Sequence, residues 1–398
     1  MKYNFDEVIN RKNTQSSKWD NVGARVGNSN ALPMWVADTD FRCPQPVVDA
    51  VKARAEHMIY GYPYTVQEFK EATINWIKKR HGWEIKPDWI VFATGIVPVF
   101  NTMIQAFTEV GDEVIIQRPV YHPFGFSIVD NDRVISDNSL IYENDQYRID
   151  FEDLERRAAS PKAKLMILCN PHNPVGRVWT KEDLLKISEI CLRYNVILIS
   201  DEIHSDLIFF GNKHIPVASL DERYAMNTVS CYAPSKTFNI AGLRGSGIVV
   251  PNPKLRKGLE EQFKKNRSIQ QNVFALPAYI AAYNECEDYL EQLVPYLENN
   301  VDFLEHFLKT KMPKIKLVKP EGTYLMWLDC CEMGLSGDAL ADFFINKCLV
   351  AVNRGDGFGP EGANFVRLNI GCPQATLAQG LCQILEQYKI WEKSQAVQ

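Results

Sequence analysis

The 398-residue chain has no uninterrupted apolar stretch of about 18 residues, which excludes an ordinary membrane-spanning helix. Its opening, MKYNFDEVINRKNTQSSKWD, has no apolar core behind a basic start, so no secretory leader is expected and the cytoplasm is the expected compartment. It carries no block of basic charge: 44 Lys and Arg face 49 Asp and Glu, for a net charge of -5. A nucleic-acid surface needs a concentrated basic face, so no nucleic-acid partner is expected. The ten cysteines include no CxxC pair and the seven histidines no HExxH, so neither a disulfide framework nor a metal centre is expected. Repeats and low-complexity segments are also missing. What remains is an ordinary globular composition, 46% hydrophobic and 23% charged.

The middle of the chain alternates short apolar runs with helical stretches, the mark of an α/β unit with a largely parallel sheet. The runs span 89–94 (WIVFAT), 113–117 (EVIIQ), 164–169 (KLMILC), 196–200 (VILIS), 228–233 (TVSCYA) and 247–250 (GIVV). Several are apolar almost throughout, as strands covered on both faces require. Between them, 181–194 (KEDLLKISEICLRY) has helical spacing, with Thr180 as its expected N-cap. After about 285 the texture changes. A long amphipathic stretch over 287–311 precedes extended segments at 315–318 and 323–328, a helix near 336–347, another strand at 365–370 and a last helix from 375. We therefore expect a large domain over 45–285, and a smaller α+β domain built from 286–398 with the N-terminal arm 1–44.

The strongest local signal is the segment SKTFNIAGLR, 235–244, directly after the run TVSCYA. A lysine at the end of a buried strand is costly to strip of water. A covalent bond to an aldehyde cofactor removes that cost and gives Lys236 a task. Taken alone, a solvated lysine in a turn is the plainer reading. Three other segments reverse the balance: Asn170-Pro-His-Asn-Pro-Val-Gly-Arg177, Asp201-Glu-Ile-His204 and Thr94-Gly95-Ile96-Val97. Each also follows an expected strand, where open α/β sheets place ligands.

In these segments the chain resembles fold-type I pyridoxal 5′-phosphate (PLP) enzymes of the aspartate aminotransferase superfamily. Met34-Trp-Val-Ala-Asp-Thr-Asp-Phe41, Tyr60-Gly-Tyr62, Asp201-Glu-Ile-His204 and Ser235-Lys-Thr-Phe-Asn-Ile-Ala-Gly242 most closely resemble the MalY/PatB group of cystathionine β-lyases, or C–S lyases. The resemblance implies a large domain with a mostly parallel seven-stranded sheet between helices, and a homodimer with shared sites. It also implies a small amino-acid substrate. By the same resemblance Lys236 holds the cofactor and then moves the substrate's Cα proton, and Asp201 faces the pyridine nitrogen. Asn173 donates to the phenolic oxygen and Tyr121 stacks on the ring. Gly95, Ile96 and Val97 present amides to the phosphate, helped by Ser235, Arg244 and Tyr62 of the neighbouring subunit. Arg367 forks onto the substrate carboxylate, a bidentate task that lysine performs poorly. Ala37 and Asn173 are also expected beside the substrate, and Tyr121 or Tyr62 beside the reacting bonds.

His204 departs from the aminotransferase pattern, occupying a position by the cofactor where those enzymes carry a tyrosine. A second arginine for a dicarboxylate side chain is not evident, since Lys265 and Arg267 sit on an expected solvated face. Both departures suit a lyase that expels a thiolate. An aminotransferase using the same residues is the alternative, and a PLP-bound regulatory or interaction protein is a third.

Overall fold

The structure, a computed structural model, describes residues 1–268 and 270–395. Seven strands form the main sheet: β1 (Ile90–Ala93), β2 (Glu113–Ile116), β3 (Val134–Asp137), β4 (Ala163–Cys169), β5 (Ile197–Asp201), β6 (Thr228–Tyr232) and β7 (Ser246–Val249). Their order across the sheet is β1-β7-β6-β5-β4-β2-β3. All neighbours are parallel except β7, which runs antiparallel to β1 and β6. The six apolar runs became strands because helices cover both faces, so every residue of β1, β6 and β7 is buried. The seventh strand, β3, lies at the sheet edge and is only half buried, which is why no apolar run announced it.

Lys181–Arg193 is helical, and Thr180 caps it as expected. Its Oγ1 accepts from the Asp183 amide at 3.1 Å while the Asp183 carboxylate accepts from the Thr180 amide at 3.2 Å. A second sheet of four antiparallel strands follows in the order β8-β9-β11-β10, from β8 (Lys316–Val318), β9 (Leu325–Asp329), β10 (Asn353–Arg354) and β11 (Phe365–Asn369). It packs with one helix over Glu287–Lys311, whose buried stripe Leu290, Leu293, Leu297, Val301, Leu304 and Leu308 keeps the 3.6-residue period. The helix expected near 336–347 divides into an α-helix, Gly337–Asp342, and a π-helical turn, Phe343–Lys347. The N-terminal arm joins this part of the molecule. Leu32–Pro33 pairs in parallel with Val350–Ala351, and Phe5 packs edge-on against Phe41 and Tyr289.

Candidate active site

Three strands end at one pocket. β4 runs into Asn170–Pro174, β5 ends on Asp201, and the loop after β6 carries Lys236. Asp201 lies in register between Cys169 on one side and Cys231 on the other. Two buried thiols replace water around its carboxyl, and among the described residues only the Ile203 amide donates to it, at 3.4 Å. Burial therefore raises its pKa to about 7. The Lys236 ammonium donates to the Ala37 carbonyl at 2.7 Å, and the Tyr324 hydroxyl donates to the same oxygen at 3.1 Å. Burial lowers Lys236 to about 8; the positive charge of Arg367 adds to the shift, and Asp38 and Asp201 oppose it.

Arg367 reaches the pocket from β11. Its Nη1 donates to Asn173 Oδ1 at 2.9 Å, and its Nη2 donates to the Trp35 carbonyl at 3.0 Å and to Asn353 Oδ1 at 2.7 Å. The guanidinium lies 4.8 Å from the centre of the Phe358 ring. Its Nε is buried without a partner among the described residues, and burial lowers the group to about 10, so it remains a cation at neutral pH. The Tyr121 amide donates to the Asn173 carbonyl at 3.0 Å, and burial pushes the Tyr121 phenol up to about 12. His204 is buried with Nδ1 unpartnered, and burial holds its ring neutral. The structure thus brings together Ala37, Tyr121, Asn173, Asp201, His204, Lys236 and Arg367.

The remaining residues singled out in the sequence lie around this centre or outside it. Gly95 adopts φ +90°, open to glycine without strain, and turns the chain from β1 into the helix Ile96–Phe107. The free amides at that helix start, including those of Ile96 and Val97, suit an anion. Ser235 is half-buried, and its hydroxyl has no hydrogen-bond partner among the described residues. Arg244 is exposed, at φ +55°. Tyr62 is 106% exposed, so within one chain it touches none of the others.

Sequence reasoning passed over the residues that hold this centre in place. Trp35, Asn353 and Phe358 cage Arg367, Tyr324 shares the Ala37 carbonyl with Lys236, and Asn239 ties the arm to the lysine loop. The Asn239 side chain accepts from the Thr39 amide at 3.2 Å and donates to the Thr39 and Phe41 carbonyls, both at 2.9 Å. Asn239 stood inside the segment SKTFNIAGLR and could have been found there; the others carry no local signal.

The residues present fit an aldehyde cofactor with a basic ring nitrogen and a phosphate. Lys236 offers an amine whose proton is loosely held, and Asp201 is a buried carboxyl with no cation within ion-pairing range among the described residues. His204 Nδ1 and Arg367 Nε are buried polar atoms with nothing yet to bond.

The chain matches the sequence model of the family Aminotransferase class I and II over residues 36–384. It is 46% identical over 381 residues to cystathionine beta-lyase PatB of Bacillus subtilis, covering 96% of this chain and 98% of that protein. Among solved structures, cystalysin of Treponema denticola, which contains a pyridoxal 5′-phosphate cofactor, superposes with TM-score 0.94 at 35% identity, over 98% of this chain and 99% of that one. The PLP-bound C–S lyase of Staphylococcus hominis superposes with TM-score 0.91 at 32% identity, over 97% and 98%.

Proposed function

The chain belongs to the class I and II aminotransferase family, and from that membership we propose that it is a PLP-dependent C–S β-lyase acting on L-cystathionine and related cysteine S-conjugates. The reaction consumes one thioether and one water and yields a thiol, pyruvate and ammonia. The observation that carries this reading is the convergence of Lys236, Asp201 and Arg367 on one pocket, in a chain with a cystathionine β-lyase as its near-full-length relative.

When bound, PLP supplies the electron sink that makes the substrate's Cα proton removable. The chain's own residues do the rest. Arg367 and Asn173 fix the substrate carboxylate, beside the Ala37 carbonyl. Lys236 receives the Cα proton on Nζ, and its value near 8 keeps part of it neutral at physiological pH. With the cofactor bound, Asp201 would keep its ring nitrogen protonated, and His204, held neutral, would offer it a hydrogen bond. Tyr121 would lie beside the ring and stays protonated, so its hydroxyl can give a proton to the departing sulfur. The amides of Gly95, Ile96 and Val97, with Ser235 and Arg244, would hold the phosphate.

Tyr62 of a second copy completes that phosphate site, so the working unit is a homodimer. The run 58–64 supports this: Met58, Ile59, Tyr60, Tyr62 and Tyr64 are all exposed, an apolar density that monomer surfaces rarely keep. In this reading 45–285 is the cofactor domain, 1–44 with 286–398 closes over the substrate, and the enzyme is cytoplasmic. No described helix is long and apolar enough to cross a membrane.

The test is to supply L-cystathionine with no keto-acid acceptor and follow pyruvate and thiol together. Equal amounts of both are expected. No thiol from cystathionine, with steady acceptor-dependent turnover of aspartate, would instead establish an aminotransferase.

A further inference from the structure

A cavity of about 380 Å³ borders the site. Two of its lining residues belong to the centre described above: Tyr121, and Phe358, which underlies the Arg367 guanidinium at 4.8 Å. His122 lies between them, with its ring centre 5.5 Å from Tyr121 and 5.6 Å from Phe358. A substrate held by its carboxylate on Arg367 and by its amine over Tyr121 therefore has this cavity next to its side chain. The volume falls within the range of small-molecule sites.

The cavity's charges are specific. Arg118 lines it, and of its guanidinium only Nη1 is engaged by a side chain, at 3.3 Å from Asp137 Oδ2. Nη2 has no acceptor among the described residues. Asp130 also lines the cavity, and no cation lies within ion-pairing range of it among the described residues. The third charged residue, Asp356, is already paired with Arg354 at 2.6 Å. His122 adds no charge, because burial, helped by Arg367, lowers it to about 4. One free cationic edge and one free carboxylate, beside the paired Asp356 and the neutral His122 in a compartment whose other side chains are aromatic and aliphatic, match a zwitterion on a short alkyl stem.

Resting on the lyase reading above, we propose that this compartment receives the leaving half of the substrate, and that Arg118 and Asp130 select thioethers ending in an α-amino acid group. Arg118 takes the distal carboxylate and Asp130 the distal ammonium. The apolar walls around His122 and Phe126 take the methylenes. Arg118 lies just past the end of an apolar strand and outside every motif, so no local signal pointed to it.

The experiment compares L-cystathionine with S-methyl-L-cysteine, which shares the reacting centre but lacks the distal group. The readout is the ratio of their kcat/KM values for pyruvate release by the holoenzyme. Arg118→Gln should lower that ratio about tenfold or more, the loss expected for a charge-assisted hydrogen bond, and Arg118→Lys should restore part of it. Gly125→Leu is the second variant. A Cβ at this helical position meets only ordinary contacts, 3.6 Å to Ile135 and 3.7 Å to Arg118, and Gly125 itself lines the cavity that the rest of the side chain would enter. It too should lower the ratio. Asp130→Asn should lower it less, because Asp130 is more exposed. A ratio constant within about twofold in every variant would overturn the proposal alone. Pyruvate from neither compound in the unsubstituted protein would overturn the lyase reading and this proposal with it.

Discussion

The inner wall of the site and its outer edge differ in how complete they are within one chain. On the inner wall, Lys236, Asn173 and Arg367 each have a named partner at 2.7–3.0 Å, drawn from segments far apart in sequence. On the outer edge, Tyr62 and Arg244 are exposed, and among the described residues Ser235 has no side-chain partner and the amides of Gly95, Ile96 and Val97 have no acceptor. In the proposed reading, the monomer's own tertiary structure builds the groups for the chemistry at Cα and the grip on the carboxylate. The same reading leaves the phosphate end for the cofactor and a second copy to complete.

The sharpest test of the inner wall is Lys236→Ala. Turnover with cystathionine should fall by about a thousandfold or more, the range for loss of a proton-transferring group, and the visible band of lysine-bound cofactor should vanish. Unchanged turnover would remove Lys236 from the reaction.

The outer edge is tested by Tyr62→Phe, which should weaken cofactor retention by about tenfold, the value of one charge-assisted hydrogen bond. Mixing Lys236→Ala chains with Tyr62→Phe chains sharpens the comparison. A hybrid dimer holds one site free of both substitutions, so at a cofactor concentration too low to fill the Tyr62→Phe sites the mixture should gain activity over either parent. A fully active, cofactor-saturated monomer in sedimentation would erase the distinction between wall and edge.

The smallest effect is one of stability. Asp201 has a pKa of about 7 in the folded, cofactor-free chain against an ordinary 3.8. The folded state therefore holds a proton that the unfolded chain has released, and stability falls as pH rises through that window. Asp201→Asn removes this penalty. Freed of cofactor, the variant should melt a few degrees above the unsubstituted chain at pH 8, with the difference closing toward pH 4. Calorimetry at the two pH values checks it, and an unaltered melting temperature at pH 8 would mean that Asp201 is solvated in the cofactor-free protein.

Much of this molecule is written locally. Six strands of the main sheet were readable because strands buried on both faces must be apolar almost throughout, and the cap at Thr180 because its chemistry spans three residues. Lys236, Asp201 and Asn173 were legible because each follows such a strand. The edge strand Val134–Asp137 was not, since a half-exposed strand needs no apolar run. Tertiary structure decided what joins these pieces. Arg367 meets Asn173 across 194 residues, and Lys236 meets the Ala37 carbonyl across 199. Glu321, from the turn before β9, accepts from Arg177 and from the Val178 amide, both at 2.8 Å, and so fixes the Asn173 loop against the second sheet. None of these contacts leaves a periodic or spaced signature, because hydrogen bonds between distant segments constrain only where two backbones finally lie. The cavity beside Tyr121 has the same origin: its walls come from two distant stretches of chain, 116–135 and 356–360, and only folding encloses the space between them.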